Sequence, residues 1–209
     1  PSNGGTVSPE NSHPFGFGTY QDGFQMVGVH NGTLKNHREL AEKYEIDMSE
    51  EIVKTNGAHS WTVNRTKIDS EVLLEILWKT KSYDVLLDYI GIAALVWTWP
   101  EEPNQVYLWS GASPNWKGDQ DGLFEERPLC VYTKSKNNMF FSSIDESLYA
   151  IGGTPDTAKQ ISYNVVYCVT DGDFSKAEKI HMSRRKSGQS EITKTKTYSN
   201  VHPRHSCAY

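Results

Sequence analysis

The residues best suited to chemistry lie in "FQMVGVHNGTLKNHREL", positions 24–40. An apolar run from Phe24 to Val29 stops at His30-Asn31-Gly32, and a helix-like pattern starts at once. Asn-Gly commonly turns one strand back into the next, but the residues after Gly32 do not alternate. Leu34, His37, Leu40, Ala41 and Tyr44 recur at three- and four-residue steps, which is one face of a helix. The pattern predicts a strand over 24–30 and a helix over 33–45 capped by Thr33. Asn31-Gly32 then forms an exposed corner between them. A side-chain amide and a glycine N–H held at such a corner can grip an oxyanion; an isolated Asn-Gly is otherwise a plain turn. Further on, Asp69 stands directly before Ser-Glu-Val-Leu-Leu, where a carboxylate is a good helix N-cap.

The elements that must position these groups follow from periodicity. Residues 1–18, rich in Gly, Pro, Ser and Asn, read as a loop, and 47–68 as a polar, irregular surface excursion. Val72, Leu73, Ile76 and Leu77 share one face of a helix over 69–80, and a short helix over 83–90 leads to Gly91. Apolar strands are predicted over 92–99, 105–111, 127–133, 138–143 and 161–171, with a short helix over 144–153 closed by glycine. Strands cluster after a helix pair, which is α+β ordering and not a regular βαβ repeat.

Composition narrows the function classes. The chain has 209 residues, 37% hydrophobic and 11% aromatic, enough for one domain with its own core. The longest apolar stretch, "YIGIAALVW" over 89–97, is too short to span a bilayer, so no membrane role is expected. Cys130, Cys168 and Cys207 have no CxxC spacing and cannot all pair, which points to a reducing, cytoplasmic setting. The histidines show no metal-ligand rhythm, and no metal or cofactor is expected. From His181 onward six Lys and Arg stand against one Glu, whereas residues 1–180 hold fifteen basic and twenty-five acidic residues. The division is therefore a domain over 1–180 and a basic, extended tail over 181–209. That tail could touch nucleic acid, but an acidic protein partner, a second copy or its own acidic body suits it at least as well.

Several pieces stand in a fixed order: "NSHPF" (11–15), "VHNGTLKNHREL" (29–40), "KIDSEVLLEIL" (67–77), "GIAALVWTWPEEPNQVYLWSGASP" (91–114) and "ERPLCVY…NMFFSSIDESLYAIG". Together they make residues 3–153 resemble the class II glutamine amidotransferase domain, an N-terminal-nucleophile hydrolase. The resemblance implies an αββα sandwich, here incomplete at its N-terminus. It also implies hydrolysis of the glutamine side-chain amide and transfer of the ammonia to a second site. Family members attack the amide with an N-terminal Cys whose own α-amine is the base. By resemblance, the Asn31 amide and the Gly32 N–H form the oxyanion hole, where losing one donor typically costs about 2.7–4 kcal/mol of barrier. Asp69 matches the carboxylate that pairs with the α-ammonium of glutamine. His13 matches the histidine of N-x-H-P and organises the loop on the substrate side.

The departures are as informative. The family's Cys stands well upstream of N-x-H-P, but here Pro1 is only twelve residues before His13. The Arg that grips the glutamine carboxylate is missing too, and the family's T-H-G aligns with Asn3-Gly4-Gly5, which keeps only the glycine. The chain by itself is expected to release no ammonia unless an upstream Cys-bearing segment is supplied. The rival reading is a catalytically silent binding or structural module of a larger assembly, such as a virus particle.

Overall fold

Gly91–Trp97 (β5) is buried at every position, so it must be covered on both faces. The computed structural model, which describes residues 11–18, 26–112, 127–135, 138–184 and 190–196, shows what covers it. β5 lies between Met26–Leu34 (β2) and Gln105–Ala112 (β6), antiparallel to both. Phe15–Phe17 (β1) extends the sheet beyond β2. Val165–Thr170 (β10), Glu178–Arg184 (β11) and Ser190–Lys196 (β12) extend it beyond β6, giving the seven-stranded order β1-β2-β5-β6-β10-β11-β12. Alternate residues point to opposite faces. Ala93, Leu95 and Trp97 face a core shared with the helix Asp69–Thr80 (α2) and with His37–Lys43 (α1) and Asp84–Asp88 (α3). Ala94 and Val96 face a second core with Val131 and Met139. These last two belong to a three-stranded sheet of Cys130–Ser135 (β7), Asn138–Ser142 (β8) and Lys159–Gln160 (β9). On its far side Cys130 and Tyr132 pack against Leu148 and Tyr149 of Glu146–Tyr149 (α4). The molecule is a mixed α+β structure of antiparallel sheets with few helices.

Several expectations need correction. β2 does not stop at His30; it runs through Asn31-Gly32 to Leu34, and the helix begins only at His37, with Asn36 rather than Thr33 at its N-cap. The region read as irregular forms a hairpin, Ser49–Asn56 (β3) with His59–Thr66 (β4), paired along its whole length. β1 lies inside the expected N-terminal loop. The boundary expected at residue 181 falls within β11, and β12 pairs with β11 along seven residues, so 178–184 and 190–196 belong to the main sheet. Asn3-Gly4-Gly5, residues 24–25, Ser113-Pro114, residues 185–189 and the tail beyond 196, with Cys207, lie outside the described residues. Among the described residues, no helix is long and apolar enough to cross a membrane.

Candidate functional site

The β2–β5 ladder fixes which way each backbone group of β2 points. Lys35 N–H donates to the Ile90 carbonyl at 2.8 Å, and Thr98 N–H to Val27 at 3.0 Å, so odd-numbered residues of β2 exchange hydrogen bonds with β5. The even-numbered N–H and C=O groups point away from β5. β1 covers those of Met26 and Gly28, and the Asp69 carboxylate accepts the Leu34 N–H at 3.0 Å. Between these two lies a short stretch of edge without a neighbouring strand among the described residues, and it carries the backbone groups of His30 and Gly32. Gly32 is therefore a ladder residue and not a corner, yet its N–H still faces outward.

The same alternation separates the expected site residues. Even-numbered side chains of β2 face α2, where Asp69 sits; Asn31 faces the three-stranded sheet and donates from Nδ2 to Ser143 Oγ at 2.7 Å. Asp69 is brought to the edge that bears the Gly32 N–H, while the Asn31 side chain is turned to the other face of the strand. Asp69 is not the N-cap of α2 either. Ile68 takes that place, and Asp69 begins the helix with its carboxylate held by the N–H groups of Leu34 and Ser70. Oδ2 ties the helix to the strand, and Oδ1 accepts within the first turn of α2. His13 lies just before β1, its ring edge-on to Phe15 at 4.8 Å.

Beside this edge is a polar cluster that periodicity did not reveal. His30 is buried, with Nδ1 2.8 Å from Ser70 Oγ and Nε2 3.4 Å from the Tyr89 hydroxyl. Tyr89 OH donates towards Ile92 O at 2.6 Å or Thr33 O at 2.9 Å, and carbonyls only accept. Its oxygen is then free to accept from His30 Nε2–H, which leaves Nδ1 as acceptor for the Ser70 hydroxyl. Burial pushes His30 down to about 4, against the pull of the Asp69 carboxylate and helped by nearby His13. Burial lowers His13 as well, with Asp69 and Glu71 opposing. Tyr89 is pushed upward by burial first and Asp69 second. The one signal in the sequence was phase: His30 falls on the inward register of Met26, Gly28, Gly32 and Leu34.

A buried neutral histidine makes stability depend on pH. Above the ordinary value of 6.5, His30 is neutral in both the folded and the unfolded chain. Between 6.5 and about 4, the unfolded chain binds a proton that the folded chain refuses, so stability falls as pH falls through that window. The full loss should be on the order of 3 kcal/mol. Urea unfolding across this range should show the acid limb flatten in His30→Gln; parallel limbs for variant and wild type would place the proton elsewhere.

Among the described residues, no group of three or more His, Cys, Asp or Glu is placed to hold a metal ion. Chemically, the edge offers an outward N–H at Gly32, a fixed carboxylate at Asp69 and a neutral imidazole at His30. No family model matches the chain, and no curated protein matches it.

Proposed function

We propose that the chain is a glutamine amidotransferase-like domain of the N-terminal-nucleophile αββα type, which binds glutamine at the open edge of β2. The observation that carries this reading is the outward Gly32 N–H two residues from the point where Asp69 clasps Leu34. The Gly32 N–H is the donor for the oxyanion formed when a thiolate adds to the amide carbon. The second N–H of Asn31 Nδ2, whose first is held by Ser143, is the other donor. Asp69 pairs with the α-ammonium. Collapse of the tetrahedral intermediate, with a proton delivered to nitrogen, expels ammonia and leaves a thioester for water to cleave. Neither described thiol serves here: Cys130 packs against Leu148 on the far face of the small sheet, and Cys168 lies on β10. The attacking group belongs to a segment outside the described residues. The order of layers, helix then two sheets then helix, supports the same reading. A silent binding module is the second reading, favoured by Val53 and Trp61, which stand 69% and 47% exposed on the β3–β4 hairpin.

The test is calorimetric titration with L-glutamine and with N-acetylglutamine, which lacks the ammonium. Asp69→Asn keeps an oxygen for the Leu34 N–H but removes the charge. It should weaken L-glutamine binding about tenfold or more and leave N-acetylglutamine unchanged. Absence of saturable glutamine binding, or equal losses for both ligands, would sink the proposal. Binding with Asp69-dependent selectivity but no ammonia release, even after a Cys-leading segment is restored, would favour the silent module.

A further inference from the structure

At the opposite edge of the seven-stranded sheet, the register runs straight across four strands. Tyr107 faces Cys168, Cys168 faces Glu178, and Glu178 faces Lys196. One row inward, Trp109, Val166, Ile180 and Lys194 are aligned in the same way. Both rows lie on the face of the main core, which includes Tyr107, Trp109, Val166, Cys168 and Ile180. The inner row is core as far as Ile180. The outer row opens into a cleft of about 260 Å³, with Glu102, Gln105, Thr170 and Lys176 at its rim.

The charges in this cleft are arranged unevenly. Lys176, Lys194 and Lys196 contribute three ammonium groups, and Glu102 and Glu178 two carboxylates. Glu102 accepts from the Tyr107 hydroxyl, and Gln105 Oε1 accepts from the Cys168 thiol at 2.8 Å. Glu178 lies 3.7 Å from Lys194 Nζ, which is loose for an ion pair, and Lys176 Nζ is 3.0 Å from Asp173 Oδ2. A dianion entering between the lysines would give all three a common partner, which neither Asp173 nor Glu178 does alone. The two glutamates and the Thr170 hydroxyl would then accept from hydroxyl groups on the rest of the ligand. The same carboxylates repel a polyanionic backbone, and the cleft is small, so a nucleic-acid strand fits it poorly.

We propose that this cleft binds a small phosphate-bearing metabolite, with its phosphate among Lys176, Lys194 and Lys196 and its hydroxyls on Glu102 and Thr170. The site is separate from the glutamine reading: β5 and β6 lie between β10 and the β2 edge. The test is an amide chemical-shift titration of the full chain with glucose 6-phosphate, inorganic phosphate and glucose. Glucose 6-phosphate should shift Cys168, Thr170, Lys194 and Lys196 saturably and bind more tightly than inorganic phosphate, and glucose should do nothing. Lys194→Gln/Lys196→Gln, changing two exposed side chains, should leave the melting temperature in place and weaken the sugar phosphate about tenfold or more. Equal affinity in the double variant, or shifts confined to other strands, would overturn the proposal. Equal affinity for the two phosphate probes would overturn the metabolite assignment, as would tighter binding of a single-stranded RNA oligomer.

Discussion

Gly32→Val should be among the most damaging single changes in the β2–β5 ladder, costing more than about 4 kcal/mol. A Cβ at Gly32 would lie 2.1 Å from the Ile92 carbonyl oxygen, 2.7 Å from Ala93 Cα and 2.9 Å from His30 Nε2. Two of these atoms are backbone of β5, and β5 is buried on both faces, so it has nowhere to retreat. The third is the ring that Ser70 and Tyr89 hold in place. The melting temperature should fall by roughly 10 °C or more. If the valine variant does not fold, Gly32→Ala should show the same direction in urea. The neighbouring Asn31→Ala removes only a partly solvated hydrogen bond to Ser143 and should cost less than about 1 kcal/mol. A near-native midpoint for Gly32→Ala would mean that strand and partner are less closely joined than the register indicates.

Glu71→Ala should cost about 3–4 kcal/mol. Glu71 is buried at the third position of α2, where both its oxygens receive the Arg65 guanidinium and one also accepts the Ile68 N–H at 3.0 Å. Arg65 is a β4 residue, so this pair fastens the exposed hairpin to the body, assisted by Lys67 on Glu75 at 2.7 Å. Removing the carboxylate leaves a half-buried guanidinium with Glu50 and Asn11 as its remaining partners. Besides lower stability, limited proteolysis should cut within 49–66 faster than in the wild type, because few other contacts resist local opening of the hairpin. Arg65→Met/Glu71→Leu should recover much of the loss, since an apolar pair of similar volume leaves no charge stranded. Unchanged stability in Glu71→Ala would show that the hairpin is held some other way.

What was legible in the sequence depended on how many residues carried one period. α2 was clear because Val72, Leu73, Ile76 and Leu77 all face one core, and β5 because it is apolar throughout. The end of β2 was misread because Leu34 satisfies two periods. It continues the alternation of Met26, Gly28, His30 and Gly32, and it also starts the spacing of His37, Leu40 and Ala41. Sequence alone does not rank the two; the rungs to β5, sixty residues away, decide for the strand. The β3–β4 hairpin was missed because its few apolar residues, Ile52 and Val53 in β3 and Trp61 and Val63 in β4, are set among polar ones and are too few to mark an alternation. Its two-residue loop, Gly57-Ala58 between the paired Asn56 and His59, with Gly57 at φ 62° in the first central position, was the overlooked signal. β11 and β12 were taken for a tail because lysines on an edge strand resemble lysines in a disordered one. At the candidate site, Asn31, Gly32 and Asp69 were named by motif, but their distribution between two faces of β2 follows from ladder parity. The link of His30 to Ser70 and Tyr89 exists only in the folded chain.

That ladder also has a direction in time. Leu34 pairs with Gly91 at one end and Gly28 with Trp97 at the other, so the Leu34 rung closes the smallest loop and each later rung closes a longer one. Loop closure costs entropy before the contacts it permits repay any of it. The ladder should therefore zip outward from Leu34, once α2 has formed and can offer Asp69 to the Leu34 N–H. Tyr89 secures the next rung, Thr33 with Ile92, through their carbonyls. The clasp that starts the zipper is built from the residues that flank the candidate site, so selection for speed of folding and selection for chemistry would act there on the same few side chains.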